Sequence, residues 1–353
     1  MKIVLITGSA GLVGSESSFF FLNKKFTVVG IDNNKRKFFF GKEASTNKIR
    51  KKLINYSSNY KHFNIDLTNK TKLEKIFKKF NSKIKLIIHT AAQPSHDWAY
   101  SNPELDLKTN VTATMNLLQL TKKYSSSATF IHLSTNKVYG DNPNKLPIIE
   151  TKKRFEINKL NKNWLGINET MSLDNCTHSF FGISKLHSDL LVQEFGKSFN
   201  LKTAILRLGC ITGPNHQGVE LHGFLSYLVR SCIVRKSYKI IGHKGKQVRD
   251  NIHSFDLVKC FWEIFKKPKF SAVYNMGGGR YSNCSIIEAI QLIEKITNFK
   301  IKLKYINKSR LGDHKWYITD LTKFTNDYPN WKITYDTTSI LKEILFNYGY
   351  KEK

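Results

Sequence analysis

The sequence predicts an α/β fold, a doubly wound parallel sheet covered by helices on both faces, with a smaller C-terminal α/β unit. Short apolar runs alternate with segments of helical periodicity through the N-terminal half. A glycine-rich turn follows directly on the first apolar run. The alternation then loosens after Gly209, where a second arrangement begins. Strands that read as continuous apolar runs, with helices between them, belong to sheets buried on both faces.

Taken in order, "KIVLIT" (2–7), "FTVVGID" (26–32), "HFNID" (62–66), "KLIIHTA" (85–91) and "TFIHLST" (129–135) read as strands. Between them, Lys70 to Phe80 carries Leu73, Ile76, Phe77 and Phe80 at helical spacing, and Leu105 to Tyr124 has a similar stripe. A helix follows from Phe181 to Phe199, then the strand "TAILRLG" (203–209). "CITGPNHQGVELHG" (210–223) is rich in glycine and reads as a loop. Beyond it the sequence predicts helices over 224–236 and 254–266, near 285–298, near 319–328 and near 337–347. Strands are expected at "YKIIG", "AVYNMGG" and near 300–306.

With 353 residues, 41% of them hydrophobic, the chain can bury a full core and a second unit. No apolar run approaches a membrane span, so no membrane partner is expected. The first apolar run is too short and too glycine-broken for a signal peptide. Cys176, Cys210, Cys232, Cys260 and Cys284 are scattered and odd in number, which predicts reduced thiols and a cytoplasmic setting. Neither they nor the histidines have metal-ligand spacing. The net charge of +30 is spread along the chain, mostly as lysine, beside abundant Asn, Ile and Phe. That is the profile of a codon bias rather than of a nucleic-acid surface, and no nucleic-acid partner is expected.

"GSAGLVG" places Gly8, Gly11 and Gly14 between a strand and a helix, with Leu12 and Val13 opening that helix. Glycines there allow a tight turn and close approach of a pyrophosphate to the free N–H groups of the helix N-terminus. Eighteen residues past Gly14, Asp32 and Asn33 end the second strand. A carboxylate at that place accepts hydrogen bonds from ribose hydroxyls and repels a 2′-phosphate. The cofactor expected is therefore NAD, with Arg36 and Lys37 leaving NADP open. The sheet is expected to be of Rossmann type. The division expected is an NAD-binding domain over 1–207, with a returning segment near 252–276, and a substrate-binding unit over 208–251 and 277–353.

These residues, with "NIDLT" (64–68), "HTAAQPS" (89–95), "STNKVYGD" (134–141), "RLGCITGP" (207–214), "GKQVRDNIH" (245–253) and "SRLGD" (309–313), resemble the extended short-chain dehydrogenase/reductase family of nucleotide-sugar enzymes. The resemblance covers essentially the whole chain. It implies that Asp66 and Leu67 meet the adenine and that Ala91, Ala92 and Gln93 line the cofactor loop. It implies that Ser134 and Thr135 are the catalytic Ser/Thr segment. It also implies that Asn136 meets the substrate and that Arg249 and Arg310 meet its diphosphate. Asn110 matches the family's helix asparagine. "LSTNKVYGD", "GKQVRDNIHS" and "YNMGGGRYSNCS" resemble the CDP-paratose 2-epimerase (CDP-tyvelose epimerase) group, which implies a change at C2 of a CDP-linked deoxysugar. Dehydratases of the family carry Asp-Glu after the Ser/Thr. Here Asn136 and Lys137 follow, an amide and an ammonium, which cannot share the acid and base work of eliminating water.

One motif departs from the pattern. In "SFFGISK" (179–185) the family's Tyr-x-x-x-Lys becomes Phe181 and Lys185. The family's tyrosinate takes the hydroxyl proton, while its lysine lowers the tyrosine pKa and donates to the nicotinamide ribose. Phe181 removes the proton carrier and leaves Lys185 its cofactor role. Three readings stay open: an epimerase with a relocated base, a sensor that binds NAD and a nucleotide sugar without catalysis, and another nucleotide-sugar oxidoreductase. The stand-ins considered are Ser134, Thr135, Lys185, His178, Tyr139 and a bound water. His216, Glu220 and His222 could face the sugar. Leu186, Leu190, Leu191 and Phe195 predict core or a helix-bundle dimer surface, hence a homo-oligomer, dimer or tetramer.

Overall fold

Ile3–Thr7 (β1) is buried along its whole length, as a central strand of a two-sided sheet must be. In the computed structural model, which describes residues 2–216, 218–220, 223–307 and 312–351, β1 sits in a seven-stranded sheet. The other strands are Thr27–Ile31 (β2), Tyr60–Phe63 (β3), Ile84–His89 (β4), Thr129–Thr135 (β5), Thr203–Leu208 (β6) and Ala272–Met276 (β7). Their order is β7-β6-β5-β4-β1-β2-β3. β1 pairs in parallel with β2 on one side and β4 on the other. The chain therefore winds outward twice from one centre, and the crevice between β1 and β4 is the topological switch point. Thr7, Ile31, His89 and His132 lie in one row across β1, β2, β4 and β5. The loops that follow this row leave from one edge of the sheet.

Helices Leu12–Asn23 (α1), Arg36–Phe40 (α2), Asn47–Tyr56 (α3), Lys70–Phe80 (α4), His96–Ser101 (α5), Pro103–Leu107 (α6), Ala113–Tyr124 (α7) and Phe180–Phe199 (α8) accompany the strands. α4, α7 and α8 pack side by side, and their apolar residues share a core with Ile3, Leu5, Ile87, Phe130 and Ile205. Phe20, Phe21 and Phe26 around α1 pack their rings on Trp262 of the helix Ser254–Lys266. The first compact unit comprises Met1–Val138, Phe180–Arg207 and Leu257–Tyr274.

The second unit comprises Tyr139–Ser179, Leu208–Asp256 and Asn275–Lys353. The stretch Tyr139–Ser179, read from the sequence as part of the first domain, groups here. Its strands Ile148–Glu150 and Phe155–Ile157 form a hairpin, and Arg154 beside them pairs with Glu288. The strand Val248–His253 pairs with Cys210–Thr212, Asn283–Ser285 and Trp316–Tyr317. Tyr238–Ile241 pairs with Leu303–Ile306. The helices Phe224–Ile233, Ile286–Thr297 and Thr337–Asn347 enclose one apolar core, with Leu228, Ile290 and Ile344 at its centre.

Several sequence expectations shift locally. β3 ends at Phe63 rather than Asp66, because the Asp66 carboxylate turns back to accept from the Thr68 N–H and hydroxyl. The stretch read as a loop after Gly209 begins with the strand Cys210–Thr212, held by backbone pairing rather than by its own pattern. The helix expected over 105–124 is interrupted by a π-helical turn, Lys108–Thr112. The helix expected near 319–328 is confined to Thr322–Asp327. All five cysteines are free. Among the described residues no group of side chains could hold a metal ion, and no helix is long and apolar enough to cross a membrane.

His132 is fully buried on β5, and neither ring nitrogen has a hydrogen-bond partner among the described residues. Burial, then the charge of Lys185 and the neighbouring His89, hold its pKa well below the ordinary value. The unfolded chain therefore takes up a proton near pH 6.5 that the folded chain refuses, and stability falls as the pH drops below that value. His132→Phe removes this penalty. Its unfolding free energy, by urea denaturation at neutral pH and at about pH 5, is expected to gain on the wild type by up to about 1.4 kcal/mol per pH unit.

Candidate functional site

β1 ends at Thr7 and the chain turns at Gly8, whose φ of +64° lies in the left-handed region. A Cβ on Gly14 would run into the Gly8 carbonyl, so the helix can lie this close to the turn only with glycine there. Gly11 caps α1 without a side-chain bond, and no acidic residue occupies the first turn. The backbone N–H groups around Leu12 and the buried Val13 thus face no built-in anion, a cradle that fits a pyrophosphate. At the end of β2, Asp32 accepts from the Ala10 N–H (3.1 Å), the Asn34 N–H (2.8 Å) and the Thr46 hydroxyl (3.2 Å). These bonds hold a carboxylate beside the glycine turn, where a ribose would lie. Asp66 accepts from Lys35 at 3.1 Å and from the exposed Asn33 at 3.4 Å. Arg36 lies over the Phe40 ring. The Leu67 side chain is in the core, and its carbonyl accepts from Asn116.

The loop after β4 is fixed from within. Its start is tied to β1, since the Ala91 N–H donates to the Thr7 hydroxyl. Ala92 is half-buried, whereas Gln93 is fully buried. The Gln93 amide donates to Asp106 (2.7 Å) and to the Ser95 carbonyl, so this side chain shapes the loop instead of facing out of it. Asn110, on the π turn, accepts from the Gln93 N–H (2.9 Å) and donates to Asp106 and to the Ser184 hydroxyl (3.0 Å). Ser184 in turn donates to the Phe181 carbonyl. One asparagine therefore ties the β4 loop to the first turn of α8.

Lys185 is buried and donates to the Leu133 carbonyl at 2.7 Å. Burial pushes its pKa down to about 8 against the opposing pull of Asp189 and Asp106. Burial likewise raises the Asp106 carboxyl, opposed by the nearby Ser184 hydroxyl, the bond from Gln93 and the charge of Lys185. Asp189 lies one turn beyond Lys185. It accepts from Ser134 (2.7 Å), Gln193 (2.7 Å) and both arms of Arg207 (3.0 and 3.1 Å). The Ser134 hydroxyl proton is therefore committed to a buried carboxylate. Thr135, the next residue, is half-buried and bonds only weakly to the buried Asn136 (3.4 Å). Sequence reasoning missed Asp106 and Asp189. The signal for Asp189 was present, since Lys185 and Asp189 stand four apart and share a helix face.

In the second unit, Arg249 is nearly buried, donates to the Val248 carbonyl and pairs with Asp313. Arg310 and His222 lie outside the described residues. Tyr139 is fully buried with its hydroxyl on Asn275 (2.7 Å). His178 bonds the Leu173 carbonyl (2.9 Å) and Cys176. The Tyr139 hydroxyl is thus engaged, whereas the Nδ1 of His178 has no hydrogen-bond partner among the described residues. Glu220 pairs with Lys239, and His216 is buried.

The NAD dependent epimerase/dehydratase family model matches residues 4–277. The chain is 28% identical to CDP-paratose 2-epimerase of Salmonella typhi over 336 residues, 92% of this chain and 93% of that one. It is 25% identical to dTDP-glucose 4,6-dehydratase of Salmonella typhimurium, over 94% of this chain and 88% of that one. A tyrosine-to-phenylalanine mutant of UDP-glucuronic acid 4-epimerase from Bacillus cereus, solved with UDP-4-deoxy-4-fluoro-glucuronic acid and NAD, superposes with a TM-score of 0.79. It is 23% identical, with 98% of each chain covered.

Asp189→Asn would leave the buried Arg207 without its counter-charge. Breaking a buried pair in this way is expected to lower the unfolding free energy by about 3–5 kcal/mol, measured by urea denaturation. Ser134→Ala, which removes one donor, should cost about 1–3 kcal/mol.

Proposed function

The chain belongs to the NAD dependent epimerase/dehydratase family, and from that premise we propose that it is an NAD-dependent nucleotide-sugar epimerase acting at C2 of a CDP-linked deoxysugar such as CDP-paratose, by transient oxidation. The likeness to the Salmonella typhi CDP-paratose 2-epimerase over nearly the whole of both chains supports the sugar. The observation that carries epimerisation rather than dehydration is the pair after Thr135. Asn136 and Lys137 supply an amide and an ammonium where elimination of water needs an acid and a base.

NAD, when bound, supplies the acceptor for a hydrogen and its electron pair. The residues do the rest. At the glycine turn of Gly8, Gly11 and Gly14, the N–H groups of Leu12, Val13 and Gly14 hold the pyrophosphate, Asp32 and Asn33 the adenosine ribose, and Asp66 and Leu67 the adenine. Ala91 and Ala92 line the cofactor, and Gln93 keeps their loop in place. Lys185 retains donors beyond the one given to Leu133, for the nicotinamide ribose. Thr135 takes the reacting oxygen, since Ser134 is spent on Asp189. Asn136, Arg249 and Arg310 hold the nucleotide sugar, the arginines by matching their planar forks to phosphate oxygens. Exposed Tyr100, Leu107, Phe180, Ile183 and Leu190 on α5, α6 and α8 support a homo-oligomer, dimer or tetramer.

Saturating NAD is expected to raise the melting temperature, by about 2.7 kcal/mol of stabilisation at a hundredfold excess over Kd. Incubation with NAD and CDP-paratose, in ordinary and deuterated water, should give the C2 epimer by NMR. Protein that is stabilised by NAD and by CDP-paratose, yet yields neither epimer nor exchange, would be the sensor instead.

A further inference from the structure

Phe181 leaves a proton without a carrier, and the side chain packed on its ring is an imidazole. The ring of His96 lies 4.9 Å from that of Phe181, centroid to centroid, inclined at 60°. His96 is half-buried and Phe181 is nearly buried. His96 follows the loop that leaves β4 at the switch point, and its helix α5 packs on α8, whose first turn carries Phe181.

We propose that His96 is the general base and acid of this site, holding the proton that a tyrosine at position 181 would hold. The inference rests on the functional reading above. The sugar O–H bond breaks and its proton passes to an imidazole nitrogen. The carbon's hydrogen leaves with its electron pair, for which NAD is the acceptor, and a C=O bond forms. When the pair returns to the opposite face of the carbon, the imidazolium gives back the proton, so the cycle closes in protons and electrons.

The placement of His96 is built in. His96 opens α5 directly after Ser95, whose hydroxyl caps the helix by accepting from the Trp98 N–H. The Ser95 carbonyl takes the Gln93 amide, and Trp98 packs on Phe38 and Phe39 of α2. Asn110 holds the Gln93 N–H with one atom and, through Ser184, the Phe181 carbonyl with another. The two rings are thus set by one network. Of the other candidates, Ser134 is bonded to Asp189, Tyr139 to Asn275, and His178 through its Nε2 to Leu173 and Cys176. Lys185 is bonded to Leu133. An imidazole is also the side chain whose ordinary pKa suits proton transfer at neutral pH.

The test compares wild type, His96→Gln, His96→Asn and His96→Gln/Phe181→Tyr, each checked for fold by circular dichroism and for NAD binding by thermal shift. His96→Gln and His96→Asn should lose about 10²–10⁴-fold in turnover of CDP-paratose with NAD binding retained. Adding Phe181→Tyr to His96→Gln should restore at least about tenfold. A readout independent of turnover is the ¹⁵N spectrum of histidine-labelled wild type. The His96 ring signals, assigned by their through-space contact with the Phe181 ring, should shift when CDP-paratose is added to the NAD-loaded protein. Wild type that turns over CDP-paratose while a folded His96→Gln keeps more than about a third of the rate overturns the inference and leaves the functional reading standing. Ring signals that do not move with CDP-paratose bound also overturn it. Wild type that binds NAD but acts on no CDP-, UDP- or dTDP-linked sugar overturns both.

Discussion

The buried carboxylate of Asp189 is the point on which α8 is fixed to the ends of β5 and β6. It takes Ser134 from β5, both arms of Arg207 from β6 and Gln193 from its own helix. A buried ion pair adds little net stability, because desolvating both charges offsets their attraction. What it gives is register. A slip of α8 by one residue along β5 would strand a carboxylate and a guanidinium away from water. With α8 locked, Lys185 meets the Leu133 carbonyl and Phe181 meets the β4 loop.

That constraint turns α8 inside out relative to ordinary patterning. Its buried face carries Ser184, Lys185, Ser188 and Asp189 beside Phe181, Val192 and Gly196, while Phe180, Ile183 and Leu190 are exposed. A helix that buries its polar residues must satisfy each of them, and this one does so through Asn110, Leu133, Ser134 and Arg207. Violations of local pattern concentrate where a site requires them. The same inversion leaves the apolar side chains of Phe180, Ile183 and Leu190 outward.

This is also where the sequence was least legible. The alternating runs and the glycine turn gave the sheet and its cofactor edge, because a strand's burial and a turn's φ are local properties. Asp32 was read from its spacing past the glycine turn, and Lys185 from the resemblance of its motif. The stripe Leu186, Leu190, Leu191 and Phe195 could not be sorted into core and surface. Leu191 and Phe195 pack against the core and Leu190 does not, a division set by Asp189 and its partners from two other strands. The π turn was hidden for the same reason, since its cause is the set of distant groups that Asn110 must reach. His96 lay one residue beyond the matched loop "HTAAQPS", and only the fold brings it to a phenylalanine in a motif 85 positions away.

Exchanging a phenol for an imidazole alters the electrostatics that the neighbouring lysine must meet. A phenolate is an anion before it takes the proton, and a nearby ammonium favours it. An imidazole is neutral before and a cation after, so a full positive charge nearby opposes the transfer. Burial draws the Lys185 pKa down to about 8, and Asp106 and Asp189 both act on it electrostatically. The field at the start of α8 is therefore that of a weakened cation tempered by Asp106, the Asp189 carboxylate being paired with Arg207, and not that of an isolated ammonium. Such a field tolerates an imidazolium at the β4 loop while leaving Lys185 its hydrogen bonds. Asp106, absent from the sequence reading, is part of the same network. Its carboxylate holds Gln93 and Asn110 in place.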